Sequence, residues 1–157
     1  MKQNTTKPTA VITELPKAAT IKVIKISSCH NISGKHKLTY QIGCNESQDV
    51  CFRVIENSGG GYFSSEWVSL SSIKECLANA PQPVTSFAFS KLFLGKSTNT
   101  PAFLLAALVN EELLKPRADK QRGYEIFDNT VFMAEVCKLI ASDIDLKVAA
   151  TPITKTT

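Results

Sequence analysis

Gly95-Lys96-Ser97-Thr98 carries the Gly-Lys-Ser/Thr ending of a phosphate-binding loop. Such a loop also needs a glycine five residues before the second one, so that backbone amides can wrap the phosphates. That position is Ser90, and the residues between are Lys91, Leu92, Phe93 and Leu94. Bulky apolar side chains there would keep the amides from converging on a phosphate. The pattern predicts no nucleotide-hydrolysing loop. Gly95 is better read as the left-handed residue that closes one helix before the next begins.

Cys29, His30, His36, Cys44 and Cys51 offer the thiols and imidazoles that zinc takes as ligands. Their spacing (adjacent, then six, eight and seven residues) matches no zinc-knuckle pattern. Cys44 is in phase with the apolar residues of its strand, where a free thiol packs as a small hydrophobe. Cys29 and His30 are neighbours, so on a strand they point to opposite faces and cannot form a thiolate–imidazole pair together. No Gly-x-Ser-x-Gly elbow occurs, and Ser58 beside the glycines has no implied base. The expectation is no metal, no cofactor, no catalytic residue and no enzymatic activity, with a small enzyme of scattered site as the last alternative.

The residues that remain for chemistry are basic and polar ones in three loops. Lys35 and Lys37 flank the turn "CHNISGKHK"; Lys96, Ser97, Thr98 and Asn99 form one turn; Lys115, Arg117, Lys120 and Arg122 lie in a third. Lys, Ser/Thr and helix N-termini are the groups that contact phosphate backbones. Reading base edges is another matter. Residues 101–109 hold only Pro, Ala, Phe, Leu and Val, whereas a recognition helix must expose Arg, Asn, Gln or Lys. Glu111 and Glu112 then add negative charge that a phosphate backbone would repel. A separate surface is the segment 59–67, a glycine run followed by Tyr62, Phe63 and Trp67. Tyr62 could meet a base or a protein partner, while Phe63 and Trp67 are expected to pack against the sheet.

The elements that must position these loops follow from periodicity. Residues 20–28 are β-branched and free of breakers. Leu38, Tyr40, Ile42 and Cys44 alternate with polar neighbours, and Val50, Phe52 and Val54 repeat the pattern after a five-residue loop. These predict an antiparallel meander of about three strands. The second half reads as helices. One is short, capped by Ser71 or Ser72 and ended by Pro81 and Pro83. Residues 84–94 fit a helical stripe better than a strand. The next helix starts at Thr100-Pro101, and the last spans 130–142 with Val131, Phe132, Val136, Leu139 and Ile140 inward. The order helix, turn, helix, basic loop and short strand around "YEIFD" resembles a winged-helix unit in architecture.

The fold class expected is therefore α+β, with a single domain over 19–148, strand-rich to 68 and helix-rich beyond. Residues 1–18 and 149–157 are expected to be flexible tails, being rich in Thr, Lys and Pro. The chain of 157 residues is 43% hydrophobic and 20% charged, an ordinary globular composition. Five irregularly spaced cysteines and no apolar leader point to a cytoplasmic protein with reduced thiols. The longest apolar run, 102–109, is too short for a membrane span. Net charge is +4, with seven lysines against one acid in residues 1–40. The function expected is non-enzymatic binding of nucleic acid through basic loops with weak sequence preference. The alternative is a protein-interaction module, an adaptor or inhibitor, that uses 59–67.

Overall fold

The first three strands form because apolar side chains recur at every second position, and each long strand is followed by a turn its own polar residues can close. β1 (Lys22–His30), β2 (Lys37–Cys44) and β3 (Val50–Asn57) run antiparallel in sequence order. A fourth strand of two residues, β4 (Val68–Ser69), completes the sheet beside β3, so the meander has four strands rather than three. The computed structural model describes residues 21–96, 98–119 and 122–146. The expected tails, Ser97 and Lys120 lie outside the described residues.

α1 (Leu70–Asn79) follows β4 directly. Its cap is Ser69, whose hydroxyl accepts from the Ser72 amide at 3.1 Å, rather than Ser71 or Ser72. Residues Ser86–Phe93 wind as a 3₁₀ helix, tighter than the α-helix the stripe suggests, and bury Phe89 and Phe93. Gly95 then takes φ +76°, and the Lys96 amide donates to the Phe93 carbonyl at 2.9 Å. α2 (Thr100–Asn110) begins with Pro101 at its second position. Thr100 is buried and does not cap: its hydroxyl accepts from the Ser64 amide at 2.9 Å, tying the glycine-aromatic segment to the helix. α2 is buried along almost its whole length, as its apolar sequence demands.

A second, two-stranded sheet follows: β5 (Leu114–Pro116) with β6 (Tyr124–Ile126). Val84 and Tyr124 exchange two backbone hydrogen bonds of 2.8 Å and so anchor this hairpin to the segment before the 3₁₀ helix. α3 (Thr130–Ala141) closes the core with Phe132 and Val136. Val131 does not face inward; it is 74% exposed. Thus the fold is α+β: an antiparallel four-stranded sheet whose Tyr40, Ile42 and Phe52 face is covered by helices. The opposite face carries Gln41, which accepts from Arg53 Nε at 2.9 Å, and Arg53 stacks on Trp67 at 4.6 Å.

One polar cluster lies inside this core. Glu111, at the C-terminal end of α2, is 8% exposed. Its Oε1 accepts from Lys25 Nζ at 2.9 Å and its Oε2 from the Tyr40 hydroxyl, which itself accepts from Asn110 Nδ2 at 2.8 Å. Lys25 also pairs with Glu135 of α3 at 3.2 Å. The cluster joins β1, β2, α2 and α3. It also means that Glu111 is not a surface charge and that Lys25 is not free to meet a phosphate.

Candidate nucleic-acid interface

The β1–β2 turn is held by Asn31. Its side-chain oxygen accepts from the Ser33 hydroxyl at 3.0 Å and from the amides of Lys35 and His36 at 3.2 and 3.3 Å. Lys35 and Lys37 project from this braced turn, and the Lys37 amide donates to Ser58 Oγ at 2.8 Å. The glycine run therefore lies alongside the turn. A β-carbon added at Gly59 would stand 2.7 Å from the His36 ring. Further along, Asn99 Nδ2 donates to the Tyr62 carbonyl at 3.0 Å, which joins the 96–99 turn to the same surface. Phe63 packs on Phe103 with ring centroids 6.3 Å apart, whereas Tyr62 is 86% exposed.

Ile32 of the β1–β2 turn lines a cleft of about 460 Å³. Ala102 and Leu105 of α2 line it as well, and the β5–β6 hairpin supplies Arg117, Arg122 and Tyr124. Gly123 belongs to the same lining. It has φ +107°, and a β-carbon there would stand 2.6 Å from the Pro83 ring, so neither the backbone nor the space admits a larger residue. Segments distant in sequence are thus linked in turn: Asn99 to Tyr62, Ser58 to Lys37, and Ile32 to Arg117, Arg122 and Gly123 across the cleft.

The expected cations differ in what already holds them. Lys96 pairs with Glu66 at 2.9 Å. Arg117 pairs with Asp119 at 2.6 Å and also donates to the Arg122 carbonyl at 3.5 Å. Lys115 does not join the cleft: its ammonium sits 4.5 Å over the Phe127 ring. Thr98 and Asn99 are exposed at the turn. Among the described residues, Lys35, Lys37 and Arg122 are exposed and have no ion-pair partner. A phosphate approaching Lys96 or Arg117 meets the carboxylate already paired with it, and Glu56 lines the same surface cavity as Lys37.

Sequence reasoning missed Ile32, Ala102, Leu105 and Tyr124 as cleft residues. Ile32 alone gave a signal, as an isoleucine in a turn otherwise made of polar residues and glycine. The thiols are placed as follows. Cys44, Cys51 and Cys76 are buried, Cys29 is half-buried and Cys137 exposed. Burial, with smaller effects from nearby charges, pushes the Cys51 thiol up to about 12, which disfavours the thiolate.

The fold is α+β, and its cleft is lined by both apolar side chains and the arginines Arg117 and Arg122. No family model, no curated protein and no solved structure matches the chain. Among the described residues no helix is long and apolar enough to cross a membrane.

Proposed function

We propose that the protein binds nucleic acid, without catalysis, by meeting phosphates with the cations around this cleft. The observation that carries the reading is the meeting of Ile32, from the β1–β2 turn, with Arg117 and Arg122 at one cleft, where Arg122, like Lys35 and Lys37 on that turn, has no ion-pair partner among the described residues. α2 offers no polar face to a groove, so contacts fall on the backbone and sequence preference is weak. The test is fluorescence anisotropy with labelled DNA and RNA, titrated with salt. Affinity should fall steeply as salt rises, because each neutralised phosphate releases counterions. Absence of binding at low salt to every strand type sinks the reading.

A second reading, a protein-interaction module, draws on Tyr62, whose ring is exposed while its carbonyl is held by Asn99. Tyrosine is a common anchor at interfaces. That reading predicts an association that salt does not weaken and that Tyr62→Ala abolishes.

A further inference from the structure

We infer that the cleft takes one unpaired base of a single-stranded nucleic acid, with the adjoining phosphate on Arg122. The inference rests on the nucleic-acid reading above and names the form of nucleic acid it favours. Binding phosphates alone needs only a basic surface, yet this molecule also holds a cavity of about 460 Å³ lined in part by Arg117 and Arg122. Pockets for small organic groups run from roughly 300 to 1,000 Å³ and combine apolar walls with a few polar groups. Here Ile32, Ala102, Leu105 and the half-buried Tyr124 give the apolar lining, while Arg122 supplies the charge and Arg117 is already paired with Asp119.

Each part fits a flat base better than a bare phosphate. Ile32 is 43% exposed at the tip of a polar turn, where it fills no core, and a base in the cleft would cover it. Tyr124 lines the cavity and is fixed in place by its two backbone bonds to Val84. Aromatic rings and arginine planes are the surfaces on which exposed bases stack, with little preference among bases. Arg122 has no carboxylate partner among the described residues and stands at the same cavity, so base and phosphate find complementary groups together. Lys35 and Lys37, on the turn that contributes Ile32, can meet the next phosphates. A base inside a duplex would first have to leave its stack, which costs free energy that a single strand does not spend.

The test compares fluorescein-labelled oligothymidylate with a labelled DNA duplex, using the wild-type chain and two variants, Ala102→Trp and Ile32→Ala. The single strand should bind about tenfold more tightly than the duplex, the scale of one stacked base. Ala102→Trp fills the cavity and should bring the single strand down to duplex level while leaving duplex affinity unchanged. Ile32→Ala, at an exposed turn position, removes part of the lining without endangering the fold and should weaken only the single strand. Equal binding of both forms, or single-strand affinity untouched by either variant, overturns the inference but leaves general phosphate binding standing. No binding of either form at low salt overturns both.

Discussion

Glu111 shows how differently one residue reads in sequence and in space. Beside Glu112 it suggests a surface charge that would repel phosphates, but it is buried and held by Lys25 and Tyr40. Burial works against the Lys25 charge, yet the hydrogen bonds and charges of Glu111 and Glu135 outweigh that and raise its pKa above the ordinary 10.5. Burial first, then the Glu111 hydrogen bond, holds the Tyr40 phenol well above its ordinary 10.0. Both groups bind their protons more tightly folded than unfolded. Their contribution is therefore complete below pH about 10 and is lost as pH rises beyond it. Denaturant unfolding across alkaline pH should show that fall, and Tyr40→Phe should reduce its slope; an unchanged slope would exclude Tyr40 as its source. Removing Lys25 strands a buried carboxylate, so Lys25→Met should cost about 1.5–3 kcal/mol. Glu111→Gln should cost less, about 1 kcal/mol, because the amide still accepts from Tyr40 and Lys25 keeps Glu135 and water. The reverse order would mean that the pair is not packed as described. Thiols give an independent check of the packing. Cys137 should react first with a thiol reagent, and Cys51 only on unfolding, since its burial disfavours the thiolate. A fast phase that survives Cys137→Ser would contradict this.

Strands were the most legible elements, because Leu38, Tyr40, Ile42 and Cys44 alternate without interruption and the structure buries all four. β4 was not legible: two residues are too few to set a period. Residues 84–94 have the stripe of a helix, but Phe89 and Phe93 reach the core through 3₁₀ turns, and no local signal separates the two. Val131 fits the inward stripe of α3, yet only tertiary packing decides which edge of a stripe is covered. Within the sheet, one position is set by its neighbours rather than by its own pattern. A β-carbon at Gly43 would stand 2.7 Å from Ile21 Cγ2, 2.8 Å from the Lys22 carbonyl and 2.9 Å from the Trp67 ring. The carbonyl belongs to the paired strand β1 and cannot turn aside as a side chain would. Gly43→Ala should therefore destabilise the fold by about 1–3 kcal/mol, the usual cost of overpacking. A thermal melt at the wild-type temperature would show that β1 and Trp67 can move away.

At the scale of the whole molecule, the three basic loops were visible in the sequence, but the links between them were not. Ile32 and Arg122 lie far apart in the chain and share a cleft only because the β5–β6 hairpin is tied to Val84, with α2 also lining it. The same geometry divides the cations in a way that composition cannot. Lys96 and Arg117 are paired with acids, Lys25 is committed to the core cluster and Lys115 sits over the Phe127 ring, whereas among the described residues of these loops Lys35, Lys37 and Arg122 have no ion-pair partner. This division predicts which charges set the salt dependence of binding. For single strands, the logarithm of affinity falls against the logarithm of salt with a slope of about 0.7 for each phosphate neutralised. Replacing Lys35, Lys37 and Arg122 together by alanine should therefore reduce the slope by about 2, one part for each lost phosphate contact. Replacing Lys74 and Lys138, exposed lysines that do not line the cleft, changes net charge without touching it and should leave the slope nearly as it was. Equal reductions in the two variants would mean that binding follows net charge and not this surface.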